Sequence, residues 1–195
     1  MYFIMNNIAI FASGSGTNAQ RLIEHFSPIT DTNISILLTN KKNAGVIERA
    51  KKLSVPVRIF DREEFYYSEN IVDFLKNEGV DWVILAGFLW LIPLNLLKFF
   101  PKKIVNIHPA LLPKYGGKGM YGMNVHQAVI DAKEKESGIT IHYVNEEYDR
   151  GDIIFQATCP VTETDTPESL AAKIHELEYK HFPVVMENLI LNKNV

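Results

Sequence analysis

Three short segments of this chain are apolar almost without interruption, and that property restricts its possible folds more than any other. Residues 7–12 read NIAIFA, residues 33–39 NISILLT and residues 82–86 WVILA. A strand with one face in water alternates apolar and polar residues. A strand that is apolar on both sides must be covered on both sides, as in a parallel sheet between two layers of helix. The intervening segments supply those helices. Residues 18–26 carry Leu22, Ile23 and Phe26 at helical spacing, residues 44–53 form a second helical stretch, and residues 61–79 a third, with Ile71, Val72 and Leu75 on one face. Residues 55–60 add a strand closed by Asp61. Strands alternating with helices in this way predict an α/β fold with a mostly parallel sheet.

The second half continues the pattern with a short helix at 93–99 and a fifth strand at 103–108. A glycine-rich loop runs to Gly122 and a helix follows at 124–132. Two further strands, 139–144 and 153–161, flank the turn NEEYDRGD. Thr166 reads as the cap of a last helix, with Pro167 at its first position and an apolar face over 169–191. No repeat, low-complexity tract or linker divides residues 1–195, so a single domain is expected. At 47% hydrophobic residues it has enough apolar surface for a substantial core. A net charge of -3 without a long basic run argues against a nucleic-acid partner. The lone Cys159 excludes an internal disulfide and fits a reducing compartment. The apolar run at 8–12 is too short for a signal or a membrane span, so a cytoplasmic protein with no membrane partner is expected.

Three places in this frame carry groups that could do chemistry. The first is SGSGTN, residues 13–18, between the first strand and the first helix. Glycines there allow a tight turn that aims backbone N–H groups at an anion, reinforced by the positive end of the helix dipole. Ala19 stands where a dinucleotide fingerprint would place its third glycine, and a plain strand-to-helix turn capped by Thr17 or Asn18 fits equally well. The second place is VNIHP, residues 105–109. Asn106 and His108 are two residues apart on a strand, so they share a face, and they lie at its carboxyl end, where open α/β sheets bind ligands. An amide and an imidazole converging there can donate two hydrogen bonds to one oxyanion, or can simply satisfy one another. The third is Asp149 in EYDRGD. It is either a turn aspartate before Gly151 or a carboxylate that raises the pKa of His108 and fixes its tautomer. His142 on a strand reads as a satisfied core or edge residue, and Glu178 in the last helix as a solvated one. No His, Cys, Asp or Glu grouping has metal-ligand spacing, and Cys159, ahead of Pro160 in an apolar strand, is expected to be inert.

Taken in order, IAIFASGSGTN, VILAGFLWLIP, VNIHPALLPKYGGKGMYG, GITIHYVNEEYDRGDII and ELEYKHFP resemble the glycinamide ribonucleotide formyltransferase family over nearly the whole chain. The resemblance implies a doubly wound, mostly parallel Rossmann-like sheet with a late antiparallel strand. It implies transfer of a formyl group from 10-formyltetrahydrofolate, as cosubstrate, to the amine of glycinamide ribonucleotide in purine synthesis. It implies that no metal is needed and that no covalent enzyme intermediate forms. The family's catalytic residues fall on Asn106, His108 and Asp149. Its ribonucleotide-binding residues fall on Gly16, Thr17, Asn18 and Glu178. Its folate-binding residues fall on Arg62, Leu89, Trp90, Leu91, Ile92, Asn106 and the loop 145–149 with Asn145 and Asp149. The N-terminal half would then hold the phosphate, and the C-terminal half the folate and the catalytic groups. The resemblance also implies a monomer or weak homodimer.

Many bacterial members carry an arginine where Trp90 stands, and residues 116–124 look longer than in the shortest relatives. The formyl-transfer core is shared with methionyl-tRNA formyltransferase and formyltetrahydrofolate deformylase. Their extra tRNA-binding and regulatory domains are not expected in this chain. A nucleotide-binding module without chemistry is a further alternative, one that leaves His108 and Asp149 without a task.

Overall fold

The computed structural model describes residues 5–192. Seven strands form one sheet in the order β3-β2-β1-β4-β5-β6-β7. They are β1 (Asn6–Phe11), β2 (Thr32–Thr39), β3 (Val57–Ile59), β4 (Trp82–Leu85), β5 (Ile104–His108), β6 (Glu136–Tyr143) and β7 (Ile153–Pro160). The first five are parallel to one another. Both β6 and β7 run antiparallel to their neighbours. The helices are α1 (Thr17–Phe26), α2 (Val46–Lys52), α3 (Arg62–Tyr66), α4 (Asn70–Asn77), α5 (Leu94–Phe99), α6 (Met123–Asp131) and α7 (Pro167–Ile190).

Period-two alternation explains the uninterrupted apolar strands. In β1, Ile8 and Ile10 join one core while Ala9 and Phe11 join the other. In β4, Trp82 and Ile84 face the first core, Val83 and Leu85 the second. The first layer is built from α1, α2 and α7, with Leu22, Phe26, Val46, Ile174 and Phe182. The second is built from the segment 60–100, with Phe60, Phe65, Leu75 and Leu96. The central strands β1 and β4 thus bury both faces, as a doubly wound sheet requires.

Three elements differ from the sequence expectation by more than small shifts at their ends. The helix expected over 61–79 is two helices. Ser68 breaks it by donating its hydroxyl to Glu64 O (2.9 Å) and accepting from Asn70 N–H (3.2 Å), a local side-chain bond that competes with helix continuation. The strand expected at 55–60 is confined to Val57–Ile59. Conversely, β6 begins three residues before Ile139, because Glu136, Ser137 and Gly138 pair with β7. The last helix starts as expected: Thr166 Oγ1 accepts from Ser169 N–H (3.2 Å), and Ser169 Oγ accepts in return from Thr166 N–H (3.0 Å). No helix among the described residues is long and apolar enough to cross a membrane.

Candidate active site

The strand order reverses between β1 and β4: from β1 the chain builds outward through β2 and β3, then returns to add β4 and β5 on the other side. At such a switch point the loops leaving two adjacent strands diverge in opposite directions and leave a crevice at the carboxyl ends. Here it is a cleft of about 610 Å³. Its walls come from the β1–α1 turn, the segment after β4, the end of β5, the glycine-rich loop, Tyr148 and Asp149, and two helix faces carrying His126, His175 and Glu178.

At one end the β1–α1 turn presents the first turn of α1. That helix has no side-chain cap and no acidic residue in its first turn, so its unpaired N–H groups and dipole are uncompensated. Lys41 also lines the cleft. The turn is held from behind by α2. Val46 N–H donates to Gly14 O (3.1 Å), and Arg49 donates through Nε to Ser15 O (2.9 Å) and through Nη1 to Gln20 Oε1. Ser13, itself buried, donates its hydroxyl to Asn40 Oδ1 (2.8 Å) and accepts from Leu89 N–H (3.2 Å), tying the β1 and β4 loops together.

The two glycines of the turn have different tasks. Gly16 has φ +79°, and a Cβ there would fall inside the van der Waals surface of Val46. Its glycine character therefore serves helix packing, while its backbone lines the cleft. A Cβ on Gly14 would meet nothing within 4 Å, so Gly14 is the glycine with open space above it. Thr17 and Asn18 line the cleft as expected.

Asn18 donates from Nδ2 to Glu178 Oε2 (2.9 Å). Glu178 is not the solvated helix residue that its local sequence suggests; it is only 6% exposed. Burial, partly offset by the Asn18 hydrogen bond, pushes its pKa up to about 7. Asn18 Oδ1 is buried without a hydrogen-bond partner among the described residues.

At the other end β5 delivers Asn106 and His108, and the register Asn106↔His142 brings β6 alongside. His142 Nδ1–H donates to Tyr143 O (2.8 Å), which leaves its Nε2 as an acceptor for Asn106 Nδ2–H (3.1 Å). Tyr115 O can only accept, so the 2.7 Å contact with His108 Nε2 puts a proton on that nitrogen. His108 Nδ1 lies 3.5 Å from Asp149 Oδ2. Asp149 sits in left-handed backbone, φ 55°, a conformation that Asp and Asn tolerate better than most residues. Its Oδ2 accepts from Gly117 N–H (2.8 Å), and its Oδ1 lies 3.6 Å from His142 Nε2.

The close approach of Asp149 to His108 is therefore present, but the expected rise of the histidine pKa is not. Burial lowers it, and the Asp149 charge and the Tyr115 carbonyl only partly oppose that loss. The ring rests neutral, with its lone pair on Nδ1. For Asp149 burial acts upward, but His142, His108 and the Gly117 N–H outweigh it and hold the carboxyl below its ordinary value. A neutral imidazole with a free lone pair, an ionised carboxylate beside it and an amide on the same strand face can accept a proton and steady a developing oxyanion.

Of the residues expected on the folate side, Leu89, Asn106 and Asp149 line this cleft. Trp90 packs among Phe60, Phe65, Tyr66 and Phe88. Ile92 is buried in the second core, and Tyr66 donates its hydroxyl to Leu91 O (3.0 Å). Arg62 lies over the rings of Tyr66 and Trp90. Asn145 Oδ1 accepts from Glu147 N–H (3.0 Å), shaping the turn that presents Asp149. Sequence reasoning did not single out Ser13, Lys41, Arg49, His126 or His175, and read His142 as structural. Among the described residues no group of three or more His, Cys, Asp or Glu side chains is arranged to hold a metal ion.

Comparison with known proteins agrees with this geometry. A family model described as formyl transferase matches residues 6–186. The chain is 44% identical over 185 residues to the chloroplastic phosphoribosylglycinamide formyltransferase of Arabidopsis thaliana, covering 92% of this chain and 63% of that protein. It is 35% identical over 191 residues to phosphoribosylglycinamide formyltransferase of Bacillus subtilis, covering 95% of each. The crystal structure of phosphoribosylglycinamide formyltransferase from Bacillus halodurans matches with a TM-score of 0.85 at 37% identity, over 95% of both chains. The chain thus spans under two thirds of the plant relatives, 63% and 60%, and nearly all of the Bacillus ones. With the sheet, the crevice and the sequence in agreement, this chain belongs to the formyl transferase family.

Proposed function

We propose that the protein transfers the formyl group of 10-formyltetrahydrofolate to the amine of glycinamide ribonucleotide, by direct attack through a tetrahedral oxyanion. The observation that carries this reading is one cleft with two chemically distinct ends. One is an uncapped helix N-terminus with Lys41, suited to a phosphate. The other is the Asn106, His108 and Asp149 group. In this reading Gly14, Gly16, Thr17 and Asn18 hold the ribonucleotide phosphate and Glu178 grips its glycinamide end. The pterin enters beside Leu89, and Trp90, Leu91, Ile92, Arg62 and Asn145 support or extend the folate side.

The reaction needs no group outside the two substrates and the chain. The amine lone pair attacks the formyl carbon, and the carbonyl electron pair moves onto oxygen. The amine proton passes to His108 Nδ1, and the resulting imidazolium is stabilised by Asp149. Asn106 Nδ2–H and the imidazolium meet the oxyanion where its charge develops, which lowers the barrier rather than merely tightening binding. As the oxygen lone pair re-forms the carbonyl, the bond to N10 of the folate breaks. N10 takes the proton back from His108, which returns neutral. Removing one such donor typically costs about 3 kcal/mol, roughly a hundredfold in turnover.

The test is product formation with purified protein. Tetrahydrofolate should accumulate from the formyl donor only when glycinamide ribonucleotide is present. Formate release at the same rate without the ribonucleotide would point to a hydrolase, and no consumption of the donor with both substrates present would refute the reading.

A further inference from the structure

The mechanism leaves one buried polar side chain of the cleft unused. His126, on α6, is 3% exposed, and its ring lines the cavity together with His108 and Glu178. Its Nδ1 is enclosed and has no hydrogen-bond partner among the described residues. Burial, joined by the neighbouring His175 and His108, pushes its pKa down to about 4, so the ring is neutral wherever the enzyme would work. A neutral imidazole has one N–H and one lone pair. An N–H shut away without an acceptor is the costlier orphan, so the lone pair belongs on Nδ1 and the proton on Nε2. A buried histidine adds nothing to packing that a phenylalanine would not supply. What it retains is a directed N–H donor in the cavity wall.

We infer that His126 is a substrate-contacting residue whose Nε2–H donates to the glycinamide carbonyl of the ribonucleotide. The inference rests on the proposed function. His126 lines the same cleft as the α1 turn and lies near enough to His108 to feel its charge, so a glycinamide arm with its phosphate on α1 and its amine at His108 would run within reach of this N–H. Its carbonyl, one carbon from the amine, is the acceptor nearest that point. The contact fixes the rotation of the arm and so aims the amine at the formyl carbon.

The test is calorimetric titration of the full chain with glycinamide ribonucleotide and, separately, with ribose 5-phosphate, which lacks the glycinamide arm. His126→Phe should lose roughly tenfold in affinity for the ribonucleotide, the value of one neutral hydrogen bond, and keep its affinity for ribose 5-phosphate. His126→Gln, whose terminal amide nitrogen can stand where Nε2 stands, should recover most of the loss, and the shorter His126→Asn should not. Equal ribonucleotide affinity in wild type and His126→Phe overturns the inference, and so does an equal loss for both ligands. Should His126→Phe fail to fold, nitrogen NMR of the wild-type imidazole decides. An Nε2 signal that moves with the ribonucleotide but not with ribose 5-phosphate supports the contact, and one that moves with neither overturns it. A wild type that binds no ribonucleotide overturns the proposed function and this inference with it, an outcome distinct from those above.

Discussion

Replacing Glu178 by glutamine should make the protein more stable, and the gain should grow with pH. Glu178 is 6% exposed, with one hydrogen bond from Asn18 (2.9 Å) and no cation paired with it among the described residues. Its pKa rises from an ordinary 4.5 to about 7. Between those values the folded protein binds a proton that the unfolded chain has released. Stability is therefore fully present below pH 4.5 and is lost as pH rises through 7. At roughly 1.4 kcal/mol per pH unit the loss amounts to about 3 kcal/mol. Glutamine mimics the protonated acid at every pH. Its carbonyl still accepts from Asn18 Nδ2, and its amide can donate to the orphaned Asn18 Oδ1. Glu178→Gln should thus match wild type near pH 4.5 and exceed it by about 3 kcal/mol at pH 8, a rise in Tm of roughly 6–12 °C for a chain of this size.

The wild-type pH profile alone does not isolate this effect. His126, whose pKa falls from 6.5 to about 4, has the opposite sign over an overlapping window. Between pH 4 and 6.5 the unfolded chain binds the extra proton, so that histidine adds stability as pH rises. The variant-minus-wild-type difference cancels this term. Urea denaturation of both proteins at several pH values from 4.5 to 8 gives that difference directly. A difference that stays flat, or that shrinks as pH rises, would refute the argument that Glu178 is buried at a cost to its charge.

The remaining predictions concern the turn and the His108–Asp149 pair. Gly16→Ala should lower stability by at least about 1–2 kcal/mol, because its φ of +79° and the Val46 contact both oppose a Cβ. Gly14→Val, with open space above it, should leave the urea midpoint near wild type and raise the KM for the ribonucleotide. The reverse pattern would reassign the two glycines. Arg49→Met removes the donor to Ser15 O; the ribonucleotide KM should rise about tenfold with kcat and the formyl-donor KM near wild type, and an equal change in both KM values would show a general loss of structure instead. Asp149→Asn, tolerated at φ 55°, removes the charge that opposes the burial of His108. NMR titration should find the His108 pKa lower than in wild type, with turnover down at least about a hundredfold, and an unmoved pKa would uncouple the pair.

How far the site could be read from the sequence differs residue by residue, for physical reasons. Asn106 and His108 were legible because two polar groups on one face of an apolar strand break its pattern just where α/β sheets bind ligands. Their partner His142 was not, because pairing Asn106 with His142 depends on the antiparallel register of β6, and that register is set across a long connection. Glu178 carried a signal that local reasoning passed over. Leu170, Ile174, Glu178 and Phe182 recur every four residues and are all buried, so a carboxylate stands inside the apolar stripe of its helix. The helix expected over 61–79 failed on Ser68, since apolar periodicity carries no information about a hydroxyl that competes for backbone partners. Arg49 was invisible because its task is a contact between two turns distant in sequence.

The direction of the His108 shift was beyond the sequence for a deeper reason, and it changes the chemistry. A neighbouring carboxylate alone argues for a cationic imidazole at rest. In the folded protein the ring is 3% exposed, and desolvation outweighs the carboxylate 3.5 Å away. A histidine already protonated could stabilise an oxyanion, but could not take the proton that an attacking amine must lose. A neutral ring whose tautomer is fixed by the Tyr115 carbonyl can do both in sequence, with Asp149 waiting to stabilise the cation once it forms. The burial that depresses the pKa also removes the water that would otherwise solvate the cation, which strengthens its attraction to the carboxylate and to the oxyanion. Lowered resting basicity and, in the proposed transfer, strong transition-state electrostatics are therefore two consequences of one cause, the burial of His108 at the β5 end of the crevice.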